Sequence, residues 1–177
     1  MNKKVDWQTI IDQRVKKNRG FFNISYEILD KVPDQDQILV TFLKKEWSPA
    51  KKIQTELRLS ELKISSYKFA RALQSLGHKK GDVIFSLLPR RVELYISLFG
   101  SLRAGLIFSP LFSSFGPDPI LTRMQEGKGK VLITLASFYW KKISVIRDLL
   151  ELKLLLIIDD DGSFSKIKGA IKFEDFY

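Results

Sequence analysis

Between residues 53 and 158 the chain changes its hydrophobic period repeatedly, from short unbroken apolar runs to stretches whose apolar side chains recur every three or four positions, and back. Ile53-Gln54-Thr55-Glu56-Leu57-Arg58-Leu59 alternates strictly, as a half-buried strand does. From Ser60 the period lengthens. Leu62, Phe69, Ala70, Leu73 and Leu76 then share one face of a helix that Ser60 is placed to cap and Gly77 to end. The turn His78-Lys79-Lys80-Gly81-Asp82 feeds the apolar strand Val83-Ile84-Phe85-Ser86-Leu87-Leu88, stopped by Pro89. The pattern then repeats as a helix over residues 91–103, a strand over 106–108, a helix over 117–125, a strand over 131–134, a helix over 140–150 and a strand over 154–158. Such alternation predicts βαβ units in an α/β fold: a largely parallel, doubly wound sheet with helices on both faces. The continuous apolar character of the strands agrees, because a sheet covered on both sides has no polar face to present.

Outside this region the organisation is simpler. Residues 6–18 and 24–32 carry helix-like spacing, with Trp7, Ile10, Ile11 and Val15 in the first and Ile24, Ile28, Leu29 and Val32 in the second, so residues 1–35 are expected to form an N-terminal helical arm. The run Ile38-Leu39-Val40-Thr41-Phe42-Leu43 is expected to pair with residues 53–59 as a β-hairpin across a charged turn around Trp47-Ser48-Pro49-Ala50. Residues 36–161 then make the α/β subdomain, and residues 162–177 a tail whose packing the sequence leaves open.

Composition removes several functions. The 177 residues contain no cysteine and one histidine, which excludes disulfide scaffolds, thiolate metal sites, thiol nucleophiles and a histidine-based metal cluster. The basic N-terminus is not followed by the apolar stretch of a secretory signal, so a cytoplasmic location is the expectation. Residues 92–112 are long enough to cross a bilayer, but Arg103 near the middle would cost about 2.5–3.5 kcal/mol there. Gly100, Gly105 and Pro110 fit a buried helix, a turn and a strand better, so no membrane span is expected. The net charge of +10 is spread over short pairs such as Lys44-Lys45, Lys51-Lys52, Lys79-Lys80 and Lys141-Lys142, without a basic stripe interleaved with aromatics, and nucleic acid is a disfavoured partner.

The candidates for chemistry are few. Gly127-Lys128-Gly129-Lys130 lies between a helix and a strand, whereas phosphate loops join a strand to a helix, so it reads as a helix stop and turn. Asp159-Asp160-Asp161 follows a parallel strand, at the edge where such sheets bind ligands, but consecutive side chains diverge and an acidic turn before Gly162 suffices. His78 reads as a solvated turn residue, Ser113-Ser114 as caps for the following helix, and Lys141-Lys142 beside Tyr139-Trp140 as a helix face half packed on the sheet.

Residues 21–134 resemble the N-terminal region of acetate–CoA ligases (acetyl-CoA synthetases) in the adenylate-forming superfamily. The likeness is carried by Phe22-Asn23, Tyr26-Glu27 and Asp30, by Phe69-Ala70-Arg71-Ala72-Leu73-Gln74-Ser75-Leu76-Gly77 with Lys79-Lys80-Gly81-Asp82-Val83, and by Leu88-Pro89-Arg90, Glu93-Leu94-Tyr95, Ala104-Gly105, Ser109-Pro110-Leu111-Phe112, Phe115-Gly116-Pro117, Ile120, Arg123 and Lys130-Val131-Leu132-Ile133-Thr134. The resemblance implies a partial N-terminal subdomain of the adenylate-forming ligase fold. In the intact family it implies ATP, CoA and Mg²⁺, with acetate activated to an acetyl-adenylate and pyrophosphate lost before CoA displaces AMP. The family's phosphate loop ending in Pro-Lys-Gly, its later Thr-Glu motif associated with Mg²⁺ and adenylate, its ribose aspartate and its C-terminal domain with the adenylation lysine do not occur in this sequence. Phe138-Tyr139-Trp140-Lys141-Lys142 stands where the family has an Arg/Gly loop for the CoA nucleotide. No catalytic, cofactor-binding or metal residue is carried over, and no cofactor is expected for this chain alone. The expectation is a truncated ligase fragment, inactive by itself. The alternatives are a non-enzymatic interaction module, one half of a split ligase whose partner polypeptide supplies the rest, and, less favoured, a basic nucleic-acid-binding protein.

Overall fold

The computed structural model describes residues 6–17, 22–43 and 54–177. The charged turn around residues 44–50, the start of the second hairpin strand at Ile53, and the Lys44-Lys45 and Lys51-Lys52 pairs lie outside the described residues.

Five parallel strands form the main sheet: β3 (Val83–Leu87), β4 (Ile107–Pro110), β5 (Val131–Leu135), β6 (Leu154–Ile158) and β7 (Ile171–Lys172), in the order β4-β3-β5-β6-β7. Their side chains divide by alternation. Ile84, Val131, Ile133, Leu154, Leu156 and Ile158 enter one buried cluster, with α2 (Leu59–Ser75) and α3 (Val92–Arg103) packed against it. Phe85, Leu87, Leu132, Leu155 and Ile157 enter the other, against α4 (Pro117–Glu126) and residues 139–150. Both faces are therefore covered, which is why these strands carry no polar stripe. The chain moves from β3 outward to β4, then returns to lay β5 on the other side of β3. In doubly wound sheets that reversal leaves a crevice at the carboxyl ends of the strands.

The hairpin expected from the sequence is present among the described residues as β1 (Ile38–Leu43) antiparallel to β2 (Gln54–Arg58). β2 runs directly into α2, and here the expected cap is displaced. Arg58, not Ser60, holds the cap position, its amide bonded by the Glu61 carboxylate at 3.0 Å, while the Ser60 amide donates to the Gln35 carbonyl. Gly77 ends α2 with φ +81°, where its amide and that of His78 close onto Gln74 and Leu73. Of the arm, Trp7–Lys17 is α-helical (α1), whereas the second segment is a π-helical turn, Tyr26–Asp30. That turn is fastened to α3: Asn23 donates to the Leu102 carbonyl at 2.8 Å and Ser25 to the Phe99 carbonyl at 2.7 Å.

Two further differences stand out. The helix expected over residues 140–150 is a broken sequence of turns, α5 (Ala136–Phe138), a π-turn (Tyr139–Ile143) and a 3₁₀ turn (Arg147–Leu149), along which Tyr139, Ile143, Ile146 and Leu150 still face the sheet while Trp140, Val145 and Leu149 are exposed. Spacing alone reports the face, not the winding. The tail adds β7 to the sheet edge and brings Phe173, Phe176 and Tyr177 around the ring of Phe69 at centroid distances of 5.3–5.7 Å. Gly100 permits this packing: a Cβ there would lie 2.6 Å from the Phe69 ring.

No helix among the described residues is long and apolar enough to cross a membrane. Arg103 ends α3 in an ion pair with Asp30 at 2.8 Å, both side chains buried, and stacks over the Tyr67 ring at 3.7 Å, while Tyr67 donates to Asp30. An arginine that would burden a bilayer span is here neutralised by the turn that α3 carries.

Candidate functional site

The carboxyl edge of the sheet is where this topology places a ligand. After β3, the Arg91 guanidinium donates two bonds to the Glu93 carboxylate, at 2.6 and 2.7 Å. Burial works to raise the Glu93 pKa, but the bonds from Arg91 overcome it and hold the carboxyl below its usual range. After β4, the Ser113 carbonyl accepts a bond from the Lys142 ammonium, which also lies 4.9 Å from the Phe138 ring centre. Ser113-Ser114 do not cap α4, contrary to expectation. Gly116 occupies the cap position without a side-chain bond, and Pro117 follows in the first turn, where its missing N–H costs nothing. Lys142 and Tyr139 lie against the protein as the sequence indicated, while Trp140 is exposed.

The three aspartates after β6 go three ways. Asp159 accepts from the Phe164 amide, Asp160 from the amide and hydroxyl of Ser137, and Asp161 from the amide and hydroxyl of Ser163. The Ser163 hydroxyl holds the Asp161 carboxyl below its usual pKa. A Mg²⁺ site needs carboxylate oxygens converging on one point. Among the described residues no three His, Asp or Glu side chains gather in that way, and the Asp159–Asp161 carboxylates are spent on loop bonds, so these residues do not fit the metal.

At the opposite, amino edge the structure joins two candidates that are distant in sequence. His78 and the Gly127–Lys130 run line one cleft of about 450 Å³, together with Asp82 and Lys153. His78 is not solvated as expected: its side chain is 10% exposed, and Nδ1 lies 3.5 Å from the Asp82 carboxylate. Asp82 also accepts from the Lys79 amide, the main cause of its lowered pKa. The Gly127–Lys130 run is the helix stop and turn read from sequence, with a division of labour the sequence does not show. Lys128 takes the left-handed conformation, φ +50°, while Gly127 and Gly129 make room for Phe85, whose ring would lie 2.7 and 2.2 Å from added Cβ atoms. Lys153 was not singled out from the sequence. The signal lay in register: Lys130 and Lys153 each immediately precede paired strands, and the Lys153 amide donates to the Lys130 carbonyl at 2.8 Å.

Residues 45–174, 130 of 177, match the family model described as "AMP-binding enzyme". The chain belongs to this family. The acetyl-coenzyme A synthetase of Shewanella denitrificans (strain OS217) is 31% identical over 146 residues, covering 75% of this chain and 22% of its own length. That of Shewanella frigidimarina (strain NCIMB 400) is 40% identical over 81 residues, covering 46% and 12%. Among solved structures, a Brucella canis acyl-CoA synthetase superposes on 87% of this chain and 27% of its own, with a TM-score of 0.73 and 26% identity. The anthranilate CoA ligase AuaEII, solved with anthranoyl-AMP, has a TM-score of 0.70 at 19% identity and supports the fold alone. The family resemblance read from the sequence is thus established, for the N-terminal region. The chain spans about one eighth to one fifth of the length of these two synthetases.

Proposed function

We propose that this chain is the N-terminal portion of an AMP-forming acetate–CoA ligase and does not turn over by itself. The observation that carries the reading is coverage: the relatives match over only 12–22% of their own length. The carboxyl edge is consistent with it. Arg91, Asp159, Asp160, Asp161 and Lys142 bond to neighbouring groups of the chain, whereas adenylyl transfer requires donors and a metal aimed at the phosphates. In an assembled ligase using ATP, CoA and Mg²⁺, this portion supplies scaffold: it seats the β3, β5 and β6 loops and excludes water beneath them. A separate polypeptide is a fitting source of the remainder, because the outer edge of β4 has no strand partner among the described residues, Ile107 at its start is half exposed, and Phe112 beyond its end is exposed. The purified chain, given ATP, acetate, CoA and Mg²⁺, is expected to release no AMP above the enzyme-free rate. Adding a polypeptide made of the complementary part of the Shewanella denitrificans synthetase is expected to yield acetate-dependent AMP. Turnover by the chain alone would overturn the proposal.

A further inference from the structure

The amino edge holds a cleft that the proposed function does not use. Its walls bring together Lys128 and Lys130 from the turn after α4, Lys153 from the residue before β6, and His78 from the end of α2, with Asp82 as the one acidic lining residue. Lys130 and Lys153 precede adjacent parallel strands, so two exposed lysine side chains leave neighbouring positions of the edge, where like charges are mildly unfavourable and an anion is favoured. Neither the Lys128 nor the Lys130 side chain has an ion pair or hydrogen bond among the described residues; Asp82, the one carboxylate lining the cleft, is already engaged by the Lys79 amide and faces His78, and Glu151 lines an adjoining hollow with Lys128 and Lys130. His78 supplies an independent observation. Its ring is nine-tenths buried, one nitrogen faces Asp82, and Nε2 has no partner among the described residues although the residue lines the cleft.

We propose that this cleft binds the phosphoryl group of a small molecule. Three ammonium groups offset by one carboxylate suit a doubly charged oxyanion better than a carboxylate ligand, and Nε2 of His78 can add one directed bond. A volume of about 450 Å³ leaves space for an organic body attached to the phosphate. The site lies at the end of the sheet opposite the carboxyl-edge loops and stands independently of the ligase reading.

Because His78 is the only histidine, its imidazole resonances report the cleft without assignment of the whole chain. Titration of the full chain with inorganic phosphate, and separately with glycerol phosphate, is expected to shift those resonances saturably. Tighter binding of glycerol phosphate identifies a phosphorylated metabolite as the ligand, and equal or tighter binding of inorganic phosphate identifies the free ion. Either outcome supports the site. In the Lys128→Ala/Lys130→Ala variant the affinity should fall at least tenfold while the amide spectrum stays folded, and Lys141→Ala at the other edge should bind as the unaltered chain does. The proposal is overturned by a shift that does not saturate below 20 mM, by affinity undiminished in the double variant, or by a short DNA duplex that binds this cleft and is not displaced by phosphate.

Discussion

The two ends of the parallel sheet are built from similar residues put to different use. At the carboxyl edge nearly every charged side chain named above has found a partner on its own chain: Arg91 with Glu93, Asp160 with Ser137, Asp161 with Ser163, Lys142 with the Ser113 carbonyl. At the amino edge Lys128 and Lys130 stand without one among the described residues, around a cleft. The difference follows from how each edge is made. Loops leaving the strands are long enough to fold back on themselves. The turns entering β5 and β6 are short, and the Lys128 and Lys130 side chains there project from the edge without a bonded partner among the described residues.

Substitutions should therefore act with different size, and in one case different sign, at the two ends. The largest effect is steric and belongs to the amino edge. Gly129→Ala places a methyl 2.2 Å from the Phe85 ring and should lower stability by about 2–3 kcal/mol in urea unfolding, with much of the loss restored by adding Phe85→Leu. A loss that Phe85→Leu does not reduce would show that the glycine is needed for another reason. Next, Arg91→Ala removes both bonds from a largely buried Glu93 and should cost about 2 kcal/mol. Asp160→Ala, which frees the Ser137 amide and hydroxyl at a more exposed position, should cost roughly 1 kcal/mol by the same measurement. Lys130→Ala should be neutral or should stabilise by up to about 0.5 kcal/mol in phosphate-free buffer, since it relieves repulsion from Lys153. A loss of 1 kcal/mol there would erase the contrast between the edges.

The smallest effect concerns pH. The folded-state pKa of Asp82 is depressed, chiefly by the bond from the Lys79 amide, so its contribution is complete above the unfolded carboxylate value of about 3.9 and is lost as pH falls through the lower folded value. The stability difference between the unaltered chain and Asp82→Asn should be present in full at pH 5 and shrink progressively once the pH falls below the unfolded carboxylate value of about 3.9. A difference that grows on acidification would contradict the assignment.

Much of this was legible in the residues, for reasons that can be named. The strands over 83–88, 131–134 and 154–158 could be placed because a sheet buried on both faces demands unbroken apolar runs. The ends of α2 and α3 could be placed because Gly77 and Gly105 take left-handed backbone angles that side chains disfavour. The Asp159–Asp161 turn could be read as divergent because consecutive residues point apart. Other features left little trace. β7 is two residues long, Ile171–Lys172, too short for a period to register. Residues 139–150 keep the apolar spacing of a helix while winding as π and 3₁₀ turns, since packing tolerates several windings that present one face. The burial of His78 escaped because Asp82, four residues on, meets it only when the turn folds back.

What the sequence determined by itself was a matter of local period and local angle: which segments are strands, where helices stop, and, through the order of its matched residues, the family. What only the tertiary structure decided was which distant segments share a neighbourhood. The joining of His78 to Lys128, Lys130 and Lys153, of Arg103 to Asp30, and of Phe69 to the last residues of the chain depends on strand order and register. Those are fixed by the cooperative burial of two core faces, a property of the whole chain that no short window of residues contains.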